Sequence, residues 1–234
     1  MIEIKNVTKT YGENIAVSNV TFNVNDGEIF GFIGHNGAGK TTLIKSIVGI
    51  HEFDEGDILI NGKSIKTNPI ECKKQMAYVP DNPELYENMK AIDFINFICD
   101  MYEVSLEERT KNINRYAKLF EIENNLNEPI SSFSHGMKQK IVLISALAHN
   151  PKILIMDEPF VGLDPKAVYE VKEIMNEMIK EGKIIFFSTH ILDVAEKLCS
   201  RVAIIKKGKI LKVGKMNEVK GDKSLENVFL ELES

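Results

Sequence analysis

The amino-acid sequence predicts an α/β protein whose main sheet is largely parallel and covered by helices. Two observations predict this fold class. In the second half of the chain, short apolar runs alternate with amphipathic helical stretches, which is typical of parallel strands joined by helices. In residues 1–26, apolar and polar residues alternate, which is typical of antiparallel strands with one face in water. With 234 residues, the chain can bury a substantial core.

The N-terminal part is predicted to be rich in strands. One face of the first two strands carries the apolar residues Ile2, Ile4, Val20, Phe22 and Val24. A third strand, residues 28–33, is almost wholly apolar, as in strands that are buried on both faces. A glycine-rich loop separates it from residues 41–48, where the apolar spacing becomes helical. Residues 56–62 are predicted to form another short strand between turn residues.

The middle of the chain, residues 80–129, is predicted to be a helical insert. Ser105 and Glu108 form a capping box at the start of one helix. The apolar stripe of that helix consists of Ile113, Tyr116, Ala117 and Phe120. A second apolar group either packs within a small subdomain or partly faces a membrane partner. Its members are Phe94, Ile95, Phe97, Ile98, Met101 and Tyr102.

The sheet resumes after the insert. A helix ends before Pro151, and a buried strand is predicted over residues 152–157. Asp164 is the predicted N-cap of the next helix, with Pro165 at its first position. The stripe of that helix is Val168, Val171, Met175 and Met178. Two further strands, at residues 184–188 and 201–205, flank a helix that ends at Cys199.

Composition excludes several classes of function. A net charge of −5 provides no basic excess for binding nucleic acid. Cys72, Cys99 and Cys199 form no C-x-x-C pair, so we expect reduced apolar fillers and no metal or redox site. No apolar run approaches the roughly 20 residues that cross a bilayer, and residues 1–5 alternate as a strand does. We therefore expect neither a membrane span nor a signal peptide.

A phosphate-binding loop is predicted at residues 34–41, where Gly-His-Asn-Gly-Ala-Gly-Lys-Thr matches the pattern G-x-x-x-x-G-K-[ST] between a strand and a helix. Backbone N–H groups of such a loop and the positive helix end face the β-phosphate. Lys40 is expected to reach the β- and γ-phosphate oxygens, and the Thr41 hydroxyl to hold Mg²⁺. The alternative is a flexible glycine-rich turn. The candidate nucleotide-binding residues are Gly34, His35, Asn36, Gly37, Ala38, Gly39, Lys40, Thr41 and Thr42.

Two acidic residues, Asp157 and Glu158, end the strand at residues 152–157. The carboxyl ends of parallel strands form the ligand-binding edge of an open α/β sheet, and the phosphate loop lies at that edge. Asp157 suits a metal ion, directly or through water, and Glu158 suits a general base that polarises an attacking water. The alternative is a solvated turn or a helix-capping pair.

Further stretches resemble, in the right order, the motifs of the ATP-binding cassette (ABC) family. Residues 133–139, Phe-Ser-His-Gly-Met-Lys-Gln, are similar to its signature sequence, usually Leu-Ser-Gly-Gly-Gln, at the start of a helix. Residues 162–164 resemble its D-loop and residues 188–190 its switch-histidine loop. Tyr11 stands where an aromatic ring stacks on adenine. The resemblance therefore covers essentially the whole chain.

The resemblance implies a P-loop NTPase (RecA-like) core with an antiparallel β subdomain and an inserted α-helical subdomain. Residues 1–234 would form a single nucleotide-binding domain. Within it, residues 1–80 and 129–234 would form the ATP-binding core with the β subdomain, and residues 81–128 the helical subdomain.

The resemblance also implies an ATPase with ATP and Mg²⁺ as cofactors. Two cassettes pair head to tail, so Ser134, Gly136 and Met137 contact the nucleotide held by the phosphate loop of a second subunit. Glu158 activates the attacking water, and His190 contacts the γ-phosphate. The residues expected at the metal are Thr41, Asp157 and Asp81.

Two positions depart from the family pattern. Asp81 follows the stretch Tyr-Val-Pro at residues 78–80, where the family places a glutamine that meets Mg²⁺ and the water. An ionised carboxylate cannot donate a hydrogen bond, so it either binds the metal through water or adds negative charge that slows hydrolysis. His135 replaces the first signature glycine, at a place where a helical backbone accepts a side chain.

The implied partners are a transmembrane permease and a second ABC ATPase subunit, in a homodimer or a heterodimer at the cytoplasmic face of the membrane. The form of the signature and residues 224–230 resemble bacterial exporters. The alternatives are an importer ATPase, a non-hydrolysing regulatory cassette, and a cassette ATPase acting on ribosomes or nucleic acid, which the negative charge disfavours. Five lysines near the C-terminus form either a solvent-exposed strand edge or a basic surface that lies close to anionic lipid. They are Lys206, Lys207, Lys209, Lys212 and Lys215.

Overall fold

The structure, a computed structural model, describes residues 1–233. Its strands are β1 (Ile2–Tyr11), β2 (Asn14–Val24), β3 (Ile29–Ile33), β4 (Glu55–Ile60), β5 (Lys63–Ser64), β6 (Met76–Val79), β7 (Ile153–Asp157), β8 (Ile184–Thr189), β9 (Arg201–Lys206) and β10 (Lys209–Lys215). Its helices are α1 (Lys40–Ile47), α2 (Pro69–Lys73), α3 (Ala91–Met101), α4 (Leu106–Leu119), α5 (His135–Ala148), α6 (Pro165–Lys180), α7 (Leu192–Leu198), α8 (Met216–Lys220) and α9 (Leu225–Glu233).

The strands form two sheets. An antiparallel sheet has the order β2-β1-β4-β5, and a second sheet has the order β10-β9-β3-β8-β7-β6. In the second sheet the five strands from β9 to β6 run parallel, and only β10 pairs antiparallel with its neighbour. The predicted fold class is therefore confirmed.

The carboxyl ends of the five parallel strands meet at one edge of the sheet, because parallel neighbours all end on the same side. The phosphate loop follows β3, and the acidic pair comes at the end of β7. Asp81 follows β6 closely, and His190 comes directly after β8. The turn at Lys207 and Gly208 follows β9.

The two faces of the central strands pack against different layers. Phe30 and Phe186 stack with Phe22 of the antiparallel sheet, with ring centroids 5.2 Å apart for Phe22–Phe30 and 5.7 Å for Phe30–Phe186. Alternate residues of the same strands, such as Ile29 and Ile33, pack with the helices. Each phenylalanine stabilises the fold by about 1.5–3 kcal/mol through burial. Both faces of the strands that lead to the carboxyl edge are therefore buried.

The predicted helix-capping signals are realised. The Ser105 hydroxyl accepts a hydrogen bond from the Glu108 N–H (3.2 Å) at the start of α4. The Asp164 carboxylate accepts one from the Ala167 N–H (2.9 Å) at the start of α6, with Pro165 in its first turn.

The core-facing stripe of α6 differs from the predicted one. Val171, Met175 and Met178 are buried as expected, but Val168 is only half-buried. The stripe is completed by Ala167 and Ile174. Successive residues of a helix are about 100° apart, so two neighbouring stripes can both carry apolar residues. The way α6 packs on the sheet decides which of the two is buried.

The apolar residues of the helical insert divide between buried and exposed positions. Phe94 and Ile95 of α3 are buried, whereas Phe97 and Met101 are 42% and 64% exposed. Helices α3 and α4 both pack on α5. The division at residues 81–128 stays a prediction. The three cysteines are buried and unpaired, and no helix within residues 1–233 has the length and apolar character needed to cross a membrane.

Candidate functional site

A cleft of about 660 Å³ lies at the carboxyl edge of the six-stranded sheet. It brings together most of the predicted site residues: Tyr11, His35, Asn36, Gly37, Gly39, Lys40, Thr41, Thr42, Asp81, Asp157 and Glu158. Gly34 and Ala38 belong to the same loop but are buried beside the sheet. Ser134, Gly136, Met137 and His190 do not line this cleft, although His190 contacts Glu158, which does.

The phosphate loop follows a path that its glycines permit. A Cβ atom on Gly34 would lie 2.6 Å from the Ile205 carbonyl oxygen, and one on Gly39 would lie 2.4 Å from the Ala16 carbonyl oxygen. Gly39 also has a φ of 107°, a left-handed conformation that favours glycine. Helix α1 begins directly after it, at Lys40, so the positive end of the helix opens into the cleft.

Lys40 is nearly buried and lies folded over the loop. Its Nζ donates hydrogen bonds to the carbonyl oxygens of Gly34 (2.7 Å) and His35 (3.2 Å). The same Nζ lies 3.4 Å from Oε1 of Glu158. The loop therefore holds its cation at the floor of the cleft, beside the carboxylate that is predicted to activate water.

Asp157 is a buried carboxylate with both oxygens engaged. Its Oδ2 accepts a hydrogen bond from the Thr41 hydroxyl (2.6 Å), and its Oδ1 accepts one from the Ser188 hydroxyl. Ser188 Oγ also accepts from the N–H of Glu158 (3.1 Å). A single hydroxyl thus orients both acidic residues. Sequence reasoning placed Ser188 in the switch-histidine loop but missed this role; a polar residue at the end of an apolar strand was the available signal.

Glu158 occupies an unusual conformation at the centre of the site. Its φ of 47° is left-handed, which costs free energy for a residue other than glycine. Its Oε2 lies 3.0 Å from His190 Nδ1. Its buried Oε1 has no hydrogen-bond partner among residues 1–233, because the 3.4 Å contact with Lys40 is charged but poorly aligned. A buried acceptor oxygen at this point suits a water molecule in the cleft.

The oxygen-rich side of the cleft suits Mg²⁺. Partial burial raises the pKa of Asp81, and the nearby carboxylates of Asp157 and Glu158 raise it further. Carboxylate and hydroxyl oxygens are the donors that Mg²⁺ prefers, and it usually takes only one or two carboxylates together with phosphates and water. Within the described residues, no group of three or more His, Cys, Asp or Glu is arranged to hold a metal by itself. The residues present therefore fit a magnesium ion that a nucleotide helps to bind.

Tyr11 lies at the end of β1 and lines the same cleft. Its ring is 46% exposed, and its hydroxyl is hydrogen-bonded to Nδ1 of His51 (2.7 Å). The bond fixes the ring position and leaves apolar surface available for stacking.

The residues resembling the signature sequence form the start of α5. The Ser134 hydroxyl caps this helix by accepting a hydrogen bond from the Met137 N–H (3.3 Å). A Cβ on Gly136 would lie 2.7 Å from the Gly162 carbonyl oxygen, so the glycine allows this helix and the D-loop-like turn to approach. A Cβ on Gly162 would lie 2.6 Å from Cδ2 of the His135 ring, so the signature-like residues also pack closely on this glycine.

Sequence reasoning also missed parts of the cleft that other segments contribute. The start of β2 contributes residues 14–16, and the turn between β9 and β10 contributes Lys207 and Gly208. His35 of the phosphate loop packs edge-on against Phe229 of α9, with ring centroids 5.0 Å apart. No local motif marks these contacts, because they join segments that are distant in the chain.

Comparison with known proteins gives consistent results. The family model described as ABC transporter matches residues 17–161. An uncharacterized ABC transporter ATP-binding protein of Methanocaldococcus jannaschii is 38% identical over 93% of this chain and 79% of its own length. The ABC-type transporter ATP-binding protein EcsA of Bacillus subtilis is 35% identical over 99% of this chain and 96% of its own length.

Solved structures agree with the sequence relatives. The ATP-binding subunit of an ABC transporter superposes with a TM-score of 0.96 at 34% identity, and each chain is covered completely. A dimeric ATP-binding cassette in a post-hydrolysis state, bound to ADP and Pi, superposes with a TM-score of 0.83 at 28% identity over 92% of this chain and 99% of that one.

Two further relatives carry names with different functional roles, one in resistance and one in import. The linearmycin resistance ATP-binding protein LnrL of Bacillus subtilis is 32% identical over 92% of this chain and 69% of its own length. The methionine import ATP-binding protein MetN of Clostridioides difficile is also 32% identical, over 94% of this chain and 70% of its own length.

Proposed function

The chain belongs to the ABC transporter family of ATP-binding proteins, and on that premise we propose that it hydrolyses ATP to ADP and phosphate to power a bacterial exporter. One observation carries the ATPase proposal. The Glu158 carboxylate lies between Lys40 and His190, and its buried Oε1 has no hydrogen bond among residues 1–233. The neighbouring residue, Asp157, is hydrogen-bonded to Thr41.

In the proposed reaction, the loop N–H groups and the positive end of α1 bind the β-phosphate. Lys40 exchanges its contacts with loop carbonyls for phosphate oxygens, which separates it from Glu158. Thr41, Asp157 and Asp81 would hold Mg²⁺, and the ion would supply positive charge that offsets the negative charge of the phosphates. Glu158 orients a water molecule and accepts its proton as the water oxygen attacks the γ-phosphorus and ADP leaves.

The switch role follows from the position of His190. Its Nδ1 contacts Glu158, so the imidazole lies beside the place where the γ-phosphate is expected. We propose that a hydrogen bond from His190 to the γ-phosphate is made before hydrolysis and lost after it.

The active form is proposed to be a head-to-tail pair, as a homodimer or a heterodimer. Ser134, Gly136 and Met137 do not line their own cleft, which suits a role in the site of a second subunit. The triphosphate charge would then meet Lys40 on one side and the N-terminus of α5 on the other. The relative that was solved as a dimer bound to ADP and Pi supports a paired active form.

Hydrolysis is tested with purified protein, Mg²⁺ and ATP. We expect measurable turnover, and we expect Glu158→Gln to lower it by about 10²–10⁴-fold while ATP binding is retained, because only the general base is lost. Turnover that is unchanged in Glu158→Gln would contradict the role of this residue. Removal of Mg²⁺ with a chelator should also abolish turnover.

A permease is the proposed partner at the cytoplasmic face of the membrane, and the helical subdomain at residues 81–128 is the proposed docking region. Tyr86, Phe97 and Met101 are 61%, 42% and 64% exposed, and the rings of Tyr86 and Phe97 lie 6.2 Å apart. An exposed apolar cluster of this kind is typical of an interaction surface.

Co-purification from native membranes tests the partner and the direction together. A stoichiometric multispanning protein is expected, and its topology would indicate export or import. Phe97→Ser should reduce its recovery, whereas Ile70→Ser, at an exposed apolar residue of α2 outside residues 81–128, should not. Recovery of only ribosomal or DNA-associated proteins would overturn the transporter assignment. The resistance protein LnrL supports export, and the import protein MetN marks the alternative.

A further inference from the structure

The turn after β9 reaches the nucleotide cleft, and the proposed function assigns it no role. Five parallel strands end at this edge, and the loops after β3, β6, β7 and β8 carry the residues already discussed. The fifth strand, β9, ends in the two-residue turn Lys207-Gly208, and both residues line the cleft.

Backbone hydrogen bonds fix this turn against the phosphate loop. The Gly208 N–H donates to the Ala38 carbonyl oxygen (2.9 Å), and the Gly208 carbonyl oxygen accepts from the Ser18 N–H (2.8 Å). A Cβ on Gly208 would lie 2.8 Å from the Ala16 carbonyl oxygen, so the glycine allows close packing. The turn is therefore fixed relative to the phosphate loop.

Lys207 is the second lysine of the cleft. Three carboxylates and two lysines line it. Lys40 already contacts Glu158 and two loop carbonyls. Lys207 is exposed, and no ion pair or hydrogen bond of its ammonium group is present within residues 1–233. Its charge is therefore available to a ligand in the cleft.

The backbone conformation of Lys207 indicates that the turn itself does not favour a lysine at this position. Lys207 and Gly208 have φ values of 47° and 77°, both left-handed. The hairpin between β4 and β5 has the same geometry, with φ values of 49° and 79°, but its residues are Asn61 and Gly62. Asn-Gly is the pair that this turn type favours, whereas a lysine at the first position costs free energy. A strained residue with a free charge at a ligand cleft points to function.

We propose that Lys207 is a nucleotide-binding residue that contacts the α- and β-phosphates. In the sheet, β9 lies on one side of β3, whereas β8 and β7, which lead to His190 and Glu158, lie on the other. The γ-phosphate is expected beside Glu158, so Lys207 approaches the nucleotide from the opposite flank. This inference rests on the nucleotide binding proposed above.

The test is Lys207→Asn, measured by calorimetric titration of purified protein with ATP and with ADP. The change keeps the turn, so thermal stability should be equal or higher. The Kd values for both nucleotides should rise by about three- to tenfold, by the same factor for each, because both nucleotides carry the α- and β-phosphates. The difference should shrink as salt is added.

Two control variants separate charge from strain. Lys209→Asn removes an exposed lysine from the same hairpin outside the cleft, and it should leave both Kd values unchanged. Asn61→Lys places a lysine in the equivalent strained position of the other hairpin and also removes the Asn61 side-chain hydrogen bonds with Met1 and Gln75, so it should lower thermal stability without changing nucleotide affinity.

Equal affinity of Lys207→Asn and the unsubstituted protein for both nucleotides would overturn this proposal and leave the ATPase proposal intact. Weaker binding of ATP alone would overturn the placement at the α- and β-phosphates. Absence of nucleotide binding by the unsubstituted protein would overturn the proposed function and this inference together.

Discussion

Ser188→Ala is the change that most directly tests how the site is built. The buried hydroxyl donates to Asp157 and accepts from the Glu158 N–H, so its removal leaves two buried polar groups short of a partner. A hydrogen bond to a charged acceptor contributes about 2 kcal/mol and a neutral one about 1 kcal/mol, so we expect a loss of about 3 kcal/mol. In a chain of this size that corresponds to a fall in Tm of about 6–12 °C.

The same change should slow ATP hydrolysis. The Ser188 bond holds the left-handed backbone of Glu158, and a displacement of the catalytic carboxylate by about 1 Å can cost about 10²-fold in rate. We expect kcat to fall by about that factor while the KM for ATP changes little, because the phosphate loop is not altered. Steady-state ATPase assays and calorimetric melting measure the two effects.

Ser145→Ala is the matched control. Ser145 is a buried serine outside the cleft, and its hydroxyl donates a hydrogen bond to the Val142 carbonyl oxygen of its own helix (2.8 Å). Its removal should cost about 1 kcal/mol and leave kcat unchanged. If Ser188→Ala behaves like Ser145→Ala in both assays, the hydroxyl does not orient the acidic pair and the reasoning is refuted.

Three further changes test other parts of the structure. Burial lowers the pKa of His149 to about 4 from its ordinary 6.5. Between these two pH values the imidazole is protonated in the unfolded chain but neutral in the folded protein. The free energy of unfolding should therefore fall by up to about 3 kcal/mol as the pH drops from 6.5 towards 4. His149→Phe keeps a ring that can stack on Tyr102, and urea unfolding of this variant should lack this pH dependence. Asp164→Ala should lower the free energy of unfolding by about 1 kcal/mol, because the Ala167 N–H loses its cap; an unchanged urea midpoint would contradict this. Asp81→Gln should keep ATPase activity within about tenfold, since an amide oxygen can still face the metal; a total loss of turnover would show that the carboxylate is required.

Much of the fold could be predicted because the relevant signals are local. The buried strands β3, β7 and β8 appear as short apolar runs, and the caps at Ser105 and Asp164 act within one helical turn. The predicted buried stripe of α6 was wrong at Val168, because the spacing of apolar residues does not say which neighbouring element the helix packs against. The same limit applied to α3, where only packing distinguished buried Phe94 from exposed Phe97.

The sequence by itself determined the phosphate loop, the acidic pair and their common edge, because each is a contiguous motif and parallel strands must end on one side of a sheet. Only the tertiary structure decided which hydroxyl orients that pair, since Thr41 and Ser188 meet Asp157 across 116 and 31 positions of the chain. It also brought Lys207 to the cleft, through strand order and backbone hydrogen bonds. Such contacts depend on which strands become neighbours, and no single stretch of sequence encodes that choice.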